Sequence, residues 1–425
     1  ALRSVELGRS VLLVEKGVEA PGAGSTPMSG GVLHTCLEPM TDAPEVLVER
    51  IRRVTDGFAR PDLAESYAAH SRPALDWLRG HGFRLEPFAT PAGELAIIAP
   101  RRGFADAHDW RASGSLHEVA ALQTAFVERG GDVRRARVAD RLVEAPEGGV
   151  AGVILRDERG AETRVDAKRV ILADGGFQAD PELVRRHVGP HANHAKLRGA
   201  SAPTGDALRM GLAVGAATAG MRCVYGHLLH RDALHDDRFW PAPLLDPLLR
   251  AGILVDRSGA RIMDESRGGL AATNELVWGG DPQGAWIVVG ETGWNQAGTE
   301  STVGLPTPAP NPTLVERGAR ILSADDLSSL AAEAGFDPVA IGRAVRDARI
   351  PIEPPYLAIP IVPGITFTMG GLAIDGRSRV LDEAGRPIPG LYAAGSCTGG
   401  LHGGPDAGYV GGLSAALVQG FVAAE

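Results

Sequence analysis

Cysteine is scarce in this sequence: three residues, Cys36, Cys223 and Cys397, are spread over 425. So few thiols, so far apart, exclude a disulfide framework, and no Cys/His spacing suggests zinc, so no metal centre is expected. A reducing compartment follows, and the cytoplasm is the expected location. Long apolar runs are missing as well. None approaches the roughly 18 residues needed to cross a bilayer, and no signal peptide stands at the start, so no membrane partner is expected. Nor is there an excess of basic charge. With 52 acidic against 43 basic residues and a net charge of -9, the chain gives no electrostatic reason to bind nucleic acid. The short basic run of Arg134, Arg135 and Arg137 reads as a solvated edge.

What is present is ordinary globular material. An apolar fraction of 44% over 425 residues can bury a large core, and the length favours about two or three domains. The 56 glycines fall in pairs at a few places, where they punctuate tight turns. The chain opens as the tail of a helix, Ala1 to Leu7, followed by a buried strand from Ser10 to Val14 that ends in Glu15 and Lys16. Apolar residues at helical spacing predict helices over 62–80, kinked or split at Pro73, and over 117–130. Strands are predicted at Val133 to Val138, Gly152 to Arg156 and Arg169 to Ala173. From about residue 228 the texture turns to Pro, Trp and Asp in an irregular stretch, followed by Gly252 to Asp256, an apolar run at Ala285 to Gly290 and a helix at Val339 to Arg346. Strand texture returns at Gly371 to Asp375 and Gly390 to Ala394, and a last helix runs from Gly412 to Ala423. Alternating helices and short strands argue for an α/β fold with a helix-covered sheet. No internal repeat is visible. The expected division is a first domain in two parts, 1–227 and 361–425, with an inserted domain over 228–360.

Several stretches carry chemistry. Glu15 closes the strand SVLLV, where in a dinucleotide fold a carboxylate accepts the ribose hydroxyls about 20 residues past a glycine-rich loop. Alone, it also reads as the first solvated residue after a strand. The chain starts where that loop has already passed, so a clipped start is expected. Next, GAGSTPMSGG, residues 22–31, offers small residues and hydroxyls that let a backbone approach a pyrophosphate or a flavin ring; it also suits a loop. The run EKGVEAPGAGSTPMSGG resembles a signature of the FAD-binding family that includes soluble fumarate reductase, tricarballylate dehydrogenase and 3-ketosteroid dehydrogenases. The resemblance recurs in order at RVILADGGFQADPELV (169–184), APTGDALRMG (202–211), GRPIPGLYAAGSCTGGLHGG (385–404) and GGLSAALVQG (411–420).

It implies FAD as cofactor and a Rossmann-like FAD-binding domain with an inserted α+β capping domain. The cofactor-binding residues it implies are Glu15, Lys16, Ser25, Thr26, Ser29, Gly30, Gly31, Val138, Ala173, Gly175, Asp206, Gly395, Ser396, Gly411, Gly412, Leu413 and Ser414. Ser396 stands where the family has Glu, so its contact to the ribityl or ribose hydroxyls is shorter and uncharged. Asp174 stands where the family has Thr. The start of the last helix points its free amides at the flavin N1/O2 edge, which favours the negative charge of reduced flavin.

The substrate side departs from the soluble fumarate reductases, whose arginines and histidines clamp two carboxylates. Phe367 stands at the position of one family histidine, GGPDAGYVGG (403–412) holds no arginine, and Gly269 stands where the family has its proton-donating arginine. Arg267, two positions away, is a candidate substitute if the loop is remodelled. His227 stands at a substrate-binding histidine position, and equally suits a structural role at a strand end. With His402 and Tyr409 these make the candidate catalytic residues; Tyr409 either exchanges a proton beside the flavin or packs on its ring. A steroid-dehydrogenase reading gains nothing, since Asp406 stands where that family has a tyrosine.

The expected function is a flavoprotein oxidoreductase that moves a hydride between FAD N5 and a carbon beside an activating carbonyl of a small, non-dicarboxylate substrate. An unidentified electron donor or acceptor completes the cycle. The rivals are a noncatalytic, FAD-deficient remnant of the fold and a dicarboxylate enzyme with rearranged ligands. An NAD-only dehydrogenase is disfavoured, because nicotinamide needs nothing of the closing segment.

Overall fold

A computed structural model describes residues 1–301 and 307–425. Its organising element is a 13-residue strand, Tyr356–Thr368, with every residue from Ala358 to Ile365 buried. Such a continuous apolar run, rich in Ile and Val, belongs to a strand covered on both faces. Its first half pairs antiparallel with Trp286–Gly290 and Leu322–Ala324. Its second half pairs antiparallel with Val224–His230 and parallel with Lys196–Leu197. Gly252–Val255 extends the sheet beyond Trp286–Gly290. Pro360 lies opposite Trp286, and Ile361 opposite His230, so the strand changes partners at its first internal proline.

The expected domain limits at 227/228 and 360/361 both fall inside strands of this sheet, which pair with each other. The apolar side chains nonetheless segregate. One cluster gathers Leu75, Phe177, Leu208, Leu391 and Val418. Two others, around Leu228, Leu248, Ile287 and Ile359 and around Ile253, Trp286, Leu330 and Ile341, draw on the middle of the chain. Each fully buried side chain of this size contributes about 1.5–3 kcal/mol relative to exposure.

The remainder is α/β. Leu12–Val14 pairs parallel with Asp132–Arg134, Val170–Leu172 with Pro387–Ala393, and Gly371–Ala373 with Thr398–Gly399. Parallel neighbours need crossovers, and helices supply part of the cover. The strand predicted over Val133 to Val138 is two strands, Asp132–Arg134 and Arg137–Glu144, because Ala136 takes a positive φ of 52° between them. Arg137–Glu144 leads an antiparallel trio with Val150–Asp157 and Glu162–Asp166.

The helix Pro61–Gly80 is not split at Pro73. Pro73 and Ala69, whose carbonyl loses its partner, are both on the exposed face, where water replaces the missing bond, while Ala74, Leu75 and Leu78 hold the buried face. Against this helix lies the last one, Gly412–Ala423, with Trp77 edge-on to Phe421 at 6.2 Å. Among the described residues no helix is long and apolar enough to cross a membrane.

Candidate functional site

The strand Leu12–Val14 delivers Glu15 behind Gly17 and Gly22, which with Gly24, Met28, Lys196 and Trp240 help to line a cavity of about 710 Å³. Glu15 Oε1 accepts the amide hydrogen of Gly17 at 2.7 Å, which turns the chain back toward the carboxylate. Gly22 must follow without a side chain: its φ is 141°, and a Cβ would lie 2.6 Å from Glu15 Oε2. The loop continues through Ser25, whose Oγ accepts from the Ala200 amide, and the turn Thr26–Met28. Ser29 Oγ meets Ser115 Oγ at 3.1 Å, Gly30 follows, and the Gly31 carbonyl accepts from the Ile98 amide. Val138 is half-buried on the strand that begins beside the Glu15 carbonyl.

A second group borders the first. Lys16 Nζ reaches Asp206 Oδ2 at 2.7 Å and Thr204 Oγ1 at 2.9 Å. Asp206 opens the helix Asp206–Ala213, where a carboxylate suits the helix dipole. Ala173 and Gly175 flank Asp174, whose Oδ2 accepts from the Ala207 amide at 2.8 Å. Asp174 Oδ1 and the nearby Gln178 Oε1 are sealed from water with no partner in the protein. Burial, strengthened by Asp206 and opposed by the Ala207 amide and Lys16, raises the Asp174 carboxyl to about 6.

The closing segment brings Gly395 and Ser396 into a short turn, and the Gly395 amide donates to Gln419 Oε1 of the last helix at 2.8 Å. That helix starts at Gly411–Gly412 with no side-chain cap. Gly411 has φ of 143°, and a Cβ on it would lie 2.4 Å from the His34 carbonyl oxygen, so only glycine fits the approach. Ser414 Oγ accepts the His34 amide at 2.9 Å, while Leu413 is half-buried beside it.

Around this helix start the side chains are aromatic and neutral. The Gly412 amide donates to Tyr409 Oη at 2.8 Å. Tyr409 stacks on Tyr225, with centroids 4.0 Å apart, and on His402 at 5.8 Å; Phe367 lies 5.2 Å from Tyr225. His402 Nδ1 accepts from the Val410 amide, and burial together with His34 lowers its pKa to about 4. Burial lowers His34 to about 4 also, and raises Tyr409 to about 12. His227 is buried among Asp246, 3.0 Å from its Nδ1, and Tyr225, 2.9 Å from its Nε2.

Of the candidate catalytic residues, His227, His402 and Tyr409 come together here and Arg267 does not. Arg267 pairs with Asp406 at 2.6 Å and Glu275 at 2.8 Å on the surface. The space at Gly269 is taken by Asp246: a Cβ on Gly269 would lie 1.9 Å from Asp246 Oδ1. Tyr225, Asp246, His34 and Arg198 were not singled out in the sequence. Tyr225 and His227 share a strand two residues apart, a spacing that puts both on one face, whereas nothing in the sequence ties Asp246 to His227. Arg198 directs Nε to the Pro241 carbonyl and Nη1 to Thr366 Oγ1, both at 2.9 Å. Among the described residues no cluster of His, Cys, Asp and Glu is placed to hold a metal.

These residues fit FAD. A carboxylate at a strand end, a glycine loop with a roomy cavity, an uncapped helix start and two sealed acceptors suit ribose hydroxyls, a pyrophosphate and a flavin edge. Fold and site together define a dinucleotide-binding flavoprotein. The chain matches the FAD binding domain family over residues 1–408, and belongs to it; it is an FAD-dependent oxidoreductase of the fumarate reductase type. Fumarate reductase (cytochrome) of Shewanella frigidimarina is 24% identical over 428 residues, covering 95% of this chain and 70% of the relative. 4-Oxocyclohexanecarboxylate 2-dehydrogenase of Sinomonas cyclohexanicum is 27% identical over 499 residues, covering 94% and 85%. The fold is similar to that of 3-ketosteroid delta1-dehydrogenase from Sterolibacterium denitrificans, with a TM-score of 0.75 at 19% identity over 100% of this chain and 96% of that one.

Proposed function

We propose that the protein reduces or forms a C=C bond beside an activating carbonyl, on a small substrate that carries no pair of carboxylates. The observation that supports this is the neutral wall at the helix start. Tyr225, Phe367 and Tyr409 carry no charge at neutral pH, and His34 and His402, each held near a pKa of about 4, add none. Two carboxylates brought against that wall would lose water without gaining fixed cations, at a cost of several kcal/mol. Arg198, a cation that acts on Tyr225, already donates to Pro241 and Thr366. The relative that acts on 4-oxocyclohexanecarboxylate supports a ring ketone as substrate class.

FAD, when bound, supplies the two-electron step at N5. The protein's share is binding, orientation and exclusion of water. Glu15 offers its carboxylate to ribose hydroxyls, and Ser25, Thr26, Ser29, Gly30 and Gly31 form a close-fitting backbone. Tyr409, fixed by the Gly412 amide, presents a phenol for a carbonyl oxygen or a proton. Hydride transfer changes the cofactor by two electrons, so an electron donor or acceptor must restore it.

The test is anaerobic mixing of yellow, FAD-loaded protein with enones, ring ketones, fumarate and succinate, followed by flavin absorbance. Bleaching by a ring ketone, or reoxidation of the reduced protein by a cyclic enone, is the expected result. Fast turnover of fumarate or succinate points instead to rearranged dicarboxylate ligands, and protein that takes up no FAD points to a noncatalytic remnant.

A further inference from the structure

Three side chains form a buried hydrogen-bonded line that the cofactor site does not require. Tyr225 Oη lies 2.9 Å from His227 Nε2, and His227 Nδ1 lies 3.0 Å from Asp246 Oδ1. All three are largely buried, at 9%, 6% and 7% exposure, so the line meets water only at its margin. The carboxylate accepts, so Nδ1 carries a hydrogen; in the neutral ring Nε2 keeps its lone pair and the phenol donates to it, whereas in the imidazolium Nε2 donates to the phenol oxygen. Asp246 Oδ2 is sealed from water and has no partner. A carboxylate so placed is a costly way to hold a neutral imidazole, since asparagine would orient the ring without a buried charge. Its charge gains a purpose if the imidazole is protonated in turn. At the other end, Tyr225 stacks on Tyr409 at 4.0 Å, and so reaches the uncapped start of the last helix. Burial and the neighbouring Tyr409 hold the Tyr225 phenol well above its ordinary range, so it keeps its proton at rest, and the charge of Arg198 opposes them only in part.

We propose that Tyr225 is the group that exchanges a proton with the substrate carbon, and that His227 and Asp246 are positioning residues that carry that proton onward. This rests on the hydride-transfer reading above. In the reducing direction the two electrons arrive with the hydride at one carbon of the C=C bond, and the other carbon takes a proton. The π bond is lost and two C–H bonds form. The Tyr225 O–H bond breaks as its proton goes to carbon, and the proton on His227 Nε2 passes to the phenolate oxygen. The imidazolium, stabilised until then by Asp246, becomes neutral and recovers a proton from solvent. In dehydrogenation each transfer reverses, with His227 as the final acceptor. Tyr225 and His227 change protonation only.

The experiment uses FAD-loaded protein, with 2-cyclohexen-1-one and 4-oxocyclohex-2-ene-1-carboxylate as probes, read by reoxidation of the reduced flavin in H2O and D2O. Tyr225→Phe should lower kcat by about 100-fold or more, with KM and FAD content near wild type, because general acid catalysis is worth about 100- to 10,000-fold. Asp246→Asn, which keeps the volume, should lower kcat by about 10-fold or more and alter the solvent isotope effect, as the amide can still orient the ring but no longer stabilises the imidazolium. Asp246→Asn also covers the case in which Tyr225→Phe does not fold. Wild-type kcat and an unaltered isotope effect in either folded variant overturn the inference and leave the hydride-transfer reading standing. Wild-type protein that holds FAD yet reduces neither probe overturns that reading and the inference with it.

Discussion

Replacing Gly411 with alanine tests whether the start of the last helix is where the cofactor's electronics are tuned. At φ of 143° an alanine is strained, and its Cβ would stand 2.4 Å from the His34 carbonyl oxygen, where side-chain carbons keep at least 3.0 Å. The strain alone costs about 1–3 kcal/mol. Relief requires the helix start or the His34 segment to move by about 0.6 Å, which loosens the His34 amide bond to Ser414 Oγ, a further loss of about 1 kcal/mol. With an unfolding entropy proportional to chain length, about 2–4 kcal/mol corresponds to a fall of roughly 2–4 °C in Tm. The same movement turns the Leu413 amide and the helix start away from any anion there, an interaction worth about 0.3–1 kcal/mol. For a two-electron couple that is a lowering of the flavin midpoint potential by roughly 6–20 mV. Differential scanning calorimetry of the stripped protein and a dye-linked potentiometric titration of the holoenzyme read the two effects. A variant whose Tm and potential both match wild type would refute the reasoning.

Three further outcomes follow from the geometry. Glu15→Ala strips the Gly17 amide of its acceptor and any ribose of its carboxylate; FAD affinity should fall about 10- to 100-fold by fluorescence titration, consistent with about 1.5–3 kcal/mol for a hydrogen bond to a charged group. Arg267→Ala should leave kcat within twofold of wild type and stability within about 1 kcal/mol, since its partners Glu275 and Asp406 are surface carboxylates. Asp174 is raised in the folded protein from 3.8 to about 6, so its contribution is fully present below pH 3.8 and is lost as pH rises through 6. Asp174→Asn should therefore stabilise the stripped protein above pH 6, by at most about 3 kcal/mol, with little effect at pH 4, as denaturant titrations at the two pH values would show.

The parts of the fold that were legible in the sequence are those fixed by local pattern. Gly412 to Ala423 reads as a helix because glycines precede an apolar stretch that buries Val418, Phe421 and Val422, and it forms over those residues. Glu15 at the end of a short apolar strand, and the glycines after it, announce a turn that the Gly17 and Gly22 contacts then require. The longest strand was not legible. Pro360 and Pro363 argue locally against a central strand; Pro360 falls where Tyr356–Thr368 changes partners, while Pro363 stands within the pairing, opposite Leu228. Asp246 was invisible for a similar reason. Its meaning comes from the space at Gly269 and from His227 on another element, and neither relation has a sequence period.

On the proposed reading, the cofactor side and the substrate side of the site are under different physical constraints. Gly22 and Gly411 are fixed by close contacts of backbone or adjoining carboxylate, so almost any substitution there disturbs the fold itself. The substrate wall is built instead from side chains on rigid neighbours. Tyr225 and Phe367 stand directly opposite each other on paired strands, and Tyr409 stacks against Tyr225 from the closing loop. Cross-strand positions of this kind accept another side chain at a cost of about 1 kcal/mol without moving the ladder. Charge at the wall can thus be exchanged for aromatic surface while the flavin cradle stays in place. On this view Phe367 and Tyr225 act as a pair in setting what the enzyme accepts, and a cation introduced at Phe367 has to be matched by a change at Tyr225 before it could hold a carboxylate.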